Sequence, residues 1–562
     1  MAYDLFPLKA PRTAGWSLRL LVWLVNLPLV GQLLSEKFYN DMGIYLLRKE
    51  AVHMDLPMSL KVASSDPHEG TYAPIRLTDL VEVKPPTSDQ FWPETAGDFH
   101  RAYLAGNTDP EEVAERIISA TLESEKMSQS MGIFISQDSA DIRKQAAESA
   151  ERYRQGQVLS PLDGVPIAVK DELDMTPYPT TVGTRIYGQK ATTEDATVVS
   201  RLRENGALLI GKTNMQEIGL GVTGLNPHHG PARNPYDPDR ATGGSSSGSA
   251  AAVAAGLCPI AVGADGGGSI RIPASLCGLV GLKPTFGRVS EHGASPLCWS
   301  VAHVGPIAST TLDCALAYGV MAGADPADIN STHQPLPHLD EITNTDLTGV
   351  KLGMDVSWFE DADSQIVSSC KCAITRLESL GAEVVPLKID NLALLRITHL
   401  VTIASEMAAS QQPLFPQQAS EYGHDVQLNL TLTRFLKNTD YIQAQRHRVG
   451  LTHQFLKHLQ MVDCIVTPAT GRTAPIHPRD ALKTGESNLT VTDQIMRFSP
   501  PANLTGLPAI SVPVGYDDQG LPIGLQFIGR AWAEHTLLRL SFALEQENER
   551  VRPQVHYSIL ND

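Results

Sequence analysis

Two short stretches concentrate the residues whose types suit catalysis. Gly243-Gly244-Ser245-Ser246-Ser247-Gly248-Ser249 and Ala264-Asp265-Gly266-Gly267-Gly268-Ser269-Ile270-Arg271 are rich in glycine and serine, so the backbone can approach a ligand closely while several hydroxyls point at it. A flexible linker has a similar composition. The segment between the two, residues 250–263, is apolar, which a solvated linker does not require. Gly266, Gly267 and Gly268 in succession would weaken any helix or strand. What such a run permits is a tight turn whose N–H groups converge on one point, the arrangement that stabilises a developing oxyanion. Ser269 follows directly and opens a short helix over 270–274, with its hydroxyl at the positive end. Its simpler role is that of an N-cap.

A serine is a weak nucleophile until a base takes its proton, and that base is usually histidine. Only His228 and His229 lie near these stretches. Lys170 is the alternative. It closes the run Val165-Pro166-Ile167-Ala168-Val169, which has the length and β-branched content of a strand. Taken alone, such a lysine reads as a surface residue ending a strand. Buried with little compensating acid it would be neutral and able to accept a proton. A serine hydroxyl both donates and accepts, so a second serine can pass the proton to the lysine.

These residues need elements to hold them. A helix is expected over 195–204, a buried strand over 207–211, a short helix over 214–219, an Ala-rich helix over 249–255 and a strand over 259–262. Further strand-like segments fall within 284–309 and at 351–354, 463–467, 509–514 and 523–528. Helical patterns cover 110–118, 138–155, 311–323, 364–380, 441–460 and 533–547. The alternation predicts an α/β fold with a doubly wound or mixed sheet. Gly219-Leu220-Gly221-Val222-Thr223-Gly224 matches the dinucleotide pattern, but it follows a helical piece and runs into a loop, so nucleotide binding is rejected.

The formal net charge of -17 over 562 residues argues against a nucleic-acid backbone as partner. All seven cysteines lie at or beyond Cys258 without a disulfide pattern, which points to a reducing compartment. Cys370-Lys371-Cys372 lacks the partner spacing of a metal site. Residues 15–34 carry Trp16, Trp23 and many Leu and Val behind Lys9 and Arg12, but Arg19, Asn26, Pro28 and Gln32 interrupt them. The run is too broken to span a bilayer and offers no good signal-peptide cleavage site. It suits a segment lying in a membrane interface, or docked on the protein itself or on a second subunit. Residues 58–93 read as an irregular surface extension.

Taken together, residues 243–256 and 263–273 resemble the amidase signature. Gly164-Val165-Pro166-Ile167-Ala168-Val169-Lys170-Asp171 is similar to that family's lysine motif. Arg233-Asn234-Pro235, Val304-Gly305-Pro306-Ile307-Ala308 and the stretch 506–515 match too, and the similarity runs from about 110 to 545. The resemblance implies a large mixed, twisted β-sheet covered by helices on both faces. It implies an N-terminal extension over 1–95, with its apolar contact segment at 15–38, and a catalytic domain over 96–562 whose signature core spans about 160–310. It makes Ser269 the nucleophile, Ser245 the bridging serine on a cis Gly244-Ser245 peptide, and Lys170 the base. The N–H groups of Gly266, Gly267, Gly268 and Ser269 would form the oxyanion hole, Gly219 would line the acyl side, and Ser246, Asp265 and Arg271 would support the geometry. An acyl-enzyme would form and water release the acid, with no metal or organic cofactor. Gly266 stands where many members carry a β-branched residue, which implies a looser loop with its donor intact.

Within the family, residues 240–251, 264–273 and 466–476 are most like the plant-type fatty acid amide hydrolases. That likeness implies long-chain acyl amides such as N-acylethanolamines as substrates, a homodimer, and peripheral attachment to an intracellular membrane, with a soluble cytoplasmic protein as the alternative. Other readings are an amidase of small-molecule amides, the amidase subunit of a glutamine-dependent tRNA amidotransferase, and a former amidase kept as a scaffold. The amidotransferase gives residues 1–90 no role, and the intact lysine and serines disfavour the scaffold.

Overall fold

Ile167, Ala168 and Val169 follow one another in a strand, and all three are fully buried. Successive strand side chains point to opposite faces, so the sheet that holds them is covered on both. The continuous apolar run is the sequence consequence of that double cover. The computed structural model describes residues 3–6, 8, 11–50, 75–83, 91–295 and 297–560. Its centre is an eleven-stranded sheet. In chain order the strands are β1 (Phe134–Ser136), β2 (Pro166–Lys170), β3 (Leu208–Thr213), β4 (Ile260–Ala264), β5 (Val280–Lys283), β6 (Val304–Ala308), β7 (Lys351–Met354), β8 (Glu383–Pro386), β9 (Cys464–Pro468), β10 (Ala509–Tyr516) and β11 (Pro522–Gly529). Their spatial order is β8-β7-β9-β11-β10-β5-β6-β4-β2-β3-β1.

The sheet is mixed. β2 runs parallel to both β3 and β4, whereas β5, β6, β9, β10 and β11 are joined by antiparallel pairings. Lys170 and Ala264 therefore end neighbouring parallel strands, and the carboxyl edge of such strands is where α/β sheets gather ligands. The expected Ala-rich helix is α3 (Ser247–Ala254), and the short helix after the glycines is α4 (Arg271–Leu276).

Three expectations change. The helix expected over 214–219 is a single turn, Glu217–Gly219, because Gln216 is drawn into contacts with the serine loop. Within 58–93, Leu77–Glu82 is helical and buries Leu80 and Val81; residues 58–74 and 84–90, like Lys9, lie outside the described residues. Among the helices that no pattern announced are α5 (Leu392–Gln411) and α6 (His424–Thr433). Both α7 (Asn438–Leu459) and α8 (Pro500–Thr505) pack against α5. By length and composition α5 would pass for a membrane span, yet it is apolar because it is enclosed by other helices.

The N-terminal apolar run forms two helices, α1 (Gly15–Val25) and α2 (Pro28–Asp41), bent by 112° where Asn26 and Leu27 intervene. Pro28 sits in the first turn of α2, the position a helix tolerates. Leu18, Val22 and Val25 of α1 pack on Leu428 and Leu432 of α6. Ahead of them, Thr13–Ala14 pairs antiparallel with Glu486–Ser487, and Arg12 reaches Asp480 at 2.6 Å and Glu486 at 2.8 Å. The extension is thus laid along the catalytic body.

Candidate active site

The peptide Gly244-Ser245 is cis. Gln216 braces it: its N–H donates to Ser245 O at 3.1 Å, and its Oε1 accepts from Gly224 N at 2.9 Å. Lys170 leaves the end of β2 fully buried, with its Nζ 2.8 Å from Ser245 Oγ and 3.2 Å from Ala264 O. Ser246 ties the two loops together through its N–H to Ser269 O at 3.3 Å and its Oγ to Ala264 O at 3.2 Å. Ser269 does not take the simpler capping role. Ile270 is the N-cap of α4, with no side-chain capping bond, and Ser269 lines the cavity described below.

The glycine turn is held from behind. His399 on α5 places Nε2 2.8 Å from Gly266 O, and Ser499 Oγ donates to Gly267 O at 2.6 Å. Burial pushes the His399 imidazole down to about 4, so it is neutral, and facing a carbonyl it holds its proton on Nε2. The C=O and N–H of a trans peptide point in opposite directions. Anchoring Gly266 O therefore turns the Gly267 N–H toward the cavity, and the bond from Ile272 N to Gly268 O does the same for the Ser269 N–H. Gly268 departs from the expectation. Its N–H donates to Asp265 Oδ1 at 2.6 Å, and it does not line the cavity, whereas Gly266, Gly267 and Ser269 do.

Asp265 and Arg271 form the frame of this turn. Nε and Nη2 of Arg271 reach the two Asp265 oxygens at 3.0 and 3.1 Å, and its other N–H groups reach Ser499 O, Gln526 Oε1 and Asn503 Oδ1. Asn503 Nδ2 also donates to Asp265 Oδ1 at 2.9 Å. Burial alone would raise the Asp265 carboxyl, but the charge and hydrogen bonds of Arg271 outweigh it and hold the group well below the usual range.

Two expectations about individual residues are corrected. Lys170 is not short of acid: Glu172, itself buried, lies 2.7 Å from Nζ. Gly266 does not loosen the loop, since a Cβ there would sit 2.7 Å from Cys298 Sγ; the thiol occupies the space a β-branched residue would need. Gly266→Ala is expected to cost about 1–3 kcal/mol by overpacking and to slow turnover. Adding Cys298→Ala should recover most of the melting temperature, and no recovery would mean the clash lies elsewhere.

Ser245, Ser269 and Gly219 open on a cavity of about 260 Å³. Gly219, with φ +73, brings its Cα close enough that a Cβ would lie 3.6 Å from Ser245 Oγ. From there the cavity runs past Ile403 and Leu400 of α5 to Met42 and to Leu5 and Leu8 of the N-terminal segment. Among the described residues no cluster of His, Cys, Asp or Glu suits a metal ion. Glu172, Gln216, His399, Ser499 and Asn503 belong to the site without having been singled out. Glu172 stood in plain view two residues after Lys170, whereas His399 lies on a helix that no periodicity revealed.

A fully buried lysine on one serine, a second serine beside a glycine turn and an apolar cavity suit amide hydrolysis, and the chain belongs to the amidase family, whose profile, described as Amidase, matches residues 116–538. It is a hydrolase acting on amide bonds. The chain is 40% identical over 584 residues to the fatty acid amide hydrolase of Oryza sativa subsp. indica, covering 99% of this chain and 96% of that protein. It is 34% identical over 429 residues to one component of the glutamyl-tRNA(Gln) amidotransferase of Thermosynechococcus vestitus, covering 72% of this chain and 88% of that one. Among solved structures, the native peptide amidase from Stenotrophomonas maltophilia superposes with a TM-score of 0.71 at 27% identity, over 82% of this chain and 98% of that one.

Proposed function

We propose that this amide hydrolase cleaves long-chain acyl amides, N-acylethanolamines among them, through a Ser269–Ser245–Lys170 relay and an acyl-enzyme. The observation that carries the substrate class is the apolar cavity running from Ser269 to Leu5, Leu8 and Met42. Ser269 Oγ attacks the amide carbon while its proton passes to Ser245 and the proton of Ser245 to Lys170. The N–H groups of Gly266, Gly267 and Ser269 receive the oxyanion. The proton returns through Ser245 to the leaving nitrogen as the C–N bond breaks, and water then releases the fatty acid. Likeness to the rice fatty acid amide hydrolase over nearly the whole chain supports the reading.

The test is a panel of N-acyl amides varied in chain length and head group. Each CH₂ that enters an apolar cavity contributes about 0.8 kcal/mol, so kcat/KM is expected to rise by up to about fourfold per methylene until the cavity is filled. A response flat in chain length, or a preference for glutamine, would overturn the substrate class.

We also assign the outer face of the two N-terminal helices to the surface of an intracellular membrane. Trp16, Trp23, Leu29 and Leu33 are exposed there together, in the mixture of Trp and Leu that suits a lipid headgroup region. Seven free cysteines, six of them buried, accord with a reducing compartment. Trp23→Glu with Leu29→Glu should abolish flotation with anionic vesicles and leave hydrolysis of a short, soluble amide intact. Unchanged flotation, or a shift from dimer to monomer in sedimentation instead, would assign the face to a second copy of the chain.

A further inference from the structure

We propose that Glu172 is a positioning residue for this reaction, holding the Lys170 amine with its lone pair toward Ser245. The inference rests on the triad reading above. Three oxygens surround Lys170 Nζ: Glu172 Oε2 at 2.7 Å, Ser245 Oγ at 2.8 Å and Ala264 O at 3.2 Å. That number suits an ammonium with three N–H donors. A neutral amine has two N–H groups and one lone pair. Ala264 O takes one N–H and Glu172 Oε2 lies in ion-pair contact at 2.7 Å; of the three oxygens only the serine hydroxyl has a proton to give, which leaves the lone pair for Ser245. Glu172 itself gains and loses no proton; the proton that reaches Lys170 returns through Ser245 to the leaving nitrogen.

The same carboxylate lies close enough to Nζ to hold it by charge as well as by contact. Glu172 is the acid in position to do so. Its backbone is pinned by Ser295 N donating to Glu172 O at 2.8 Å and by the bridge between Leu173 and Ala294. Its Oε2 has no hydrogen-bond partner among the described residues and meets Lys170 Nζ as an ion-pair contact. Asp171 is turned away to Lys212 Nζ at 3.1 Å and to Thr181. Glu406 is engaged by Ser300 and Tyr441, and Asp265 by Arg271. Burial raises the Glu291 carboxyl well above its ordinary range, with Asp328, Glu172 and Glu406 raising it further and Lys283 acting the other way. Burial likewise keeps the Cys298 thiol protonated.

The experiment compares wild type, Glu172→Gln and Glu172→Ala by the pH profile of kcat/KM, by the pH profile of Ser269 labelling with an alkyl fluorophosphonate, and by thermal melting. Glu172→Gln keeps an acceptor and loses the charge, so the acidic limb of both profiles should move to lower pH while kcat on the plateau stays within about tenfold of wild type. Glu172→Ala loses the acceptor as well, and its plateau kcat should fall by a further factor of about ten or more. A wild-type acidic limb in a Glu172→Gln protein that melts normally would overturn the proposal. If that variant does not fold, Glu172→Asp decides: withdrawing the carboxylate by one methylene should also lower the limb, and an unmoved limb sinks the idea. Label on a residue other than Ser269 in wild type would instead refute the triad, whatever Glu172 does.

Discussion

Replacing Ser269 by alanine is expected to lower kcat by about 10⁴-fold or more and to remove labelling by an alkyl fluorophosphonate in the same step. Both follow from one atom, since in the proposed reaction the hydroxyl that attacks the amide is the one that would take the probe. The melting temperature should hardly change. Ser269 contributes no cap to α4, and the turn is held by its carbonyls and by Asp265 rather than by this side chain. Loss of hydrolysis together with unfolding would give no support to the assignment, and survival of either hydrolysis or labelling would end it.

Replacing Arg271 by methionine is expected to destabilise the protein by about 3–5 kcal/mol at neutral pH, because it leaves the buried Asp265 carboxylate without its counter-charge. The sign of the pH dependence distinguishes this from simple loss of packing. In the wild type the Asp265 carboxyl is held below its ordinary range, so its contribution is complete at neutral pH and is lost only as the pH falls through that depressed value. Without Arg271, burial dominates and the carboxyl is raised, so the variant should regain stability as the pH falls from 7 toward 5. A melting temperature that falls in parallel with wild type over that range would refute this account. Activity should suffer as well, since Asp265 fixes Gly268 N–H and Ile270 N–H at the oxyanion turn.

What could be read before the structure was what is local. The serines and glycines stand next to one another, and their composition makes little sense in a helix, a strand or an apolar surrounding unless the backbone must turn tightly there. The central strands could be read because double cover of the sheet writes itself as unbroken Val, Ile and Ala, as in Pro166–Lys170 and Ile260–Ala264. What could not be read depends on contacts between distant segments. His399 reaches Gly266 from a helix whose apolar residues point in all directions, because other helices enclose it, so no face betrays it. The loss of Gly268 as a cavity donor depends on where the Asp265 carboxylate turns, which composition does not encode. Glu172 could have been weighed, since it follows Lys170 closely. Only the distance, however, shows that it faces the amine while Asp171 faces away.

The pairing of Thr13–Ala14 with Glu486–Ser487 has a consequence for how the protein is made. Leu5 and Leu8 belong to the cavity wall, yet the strand that seats them has its partner near the other end of the chain. A nascent chain therefore carries Trp16, Trp23 and their neighbours without a docking place until the late residues are translated, and domains expose such apolar surface at the risk of aggregation. The wall of the cavity is completed only once Glu486–Ser487 has been made, and until then this apolar segment stays exposed to aggregation.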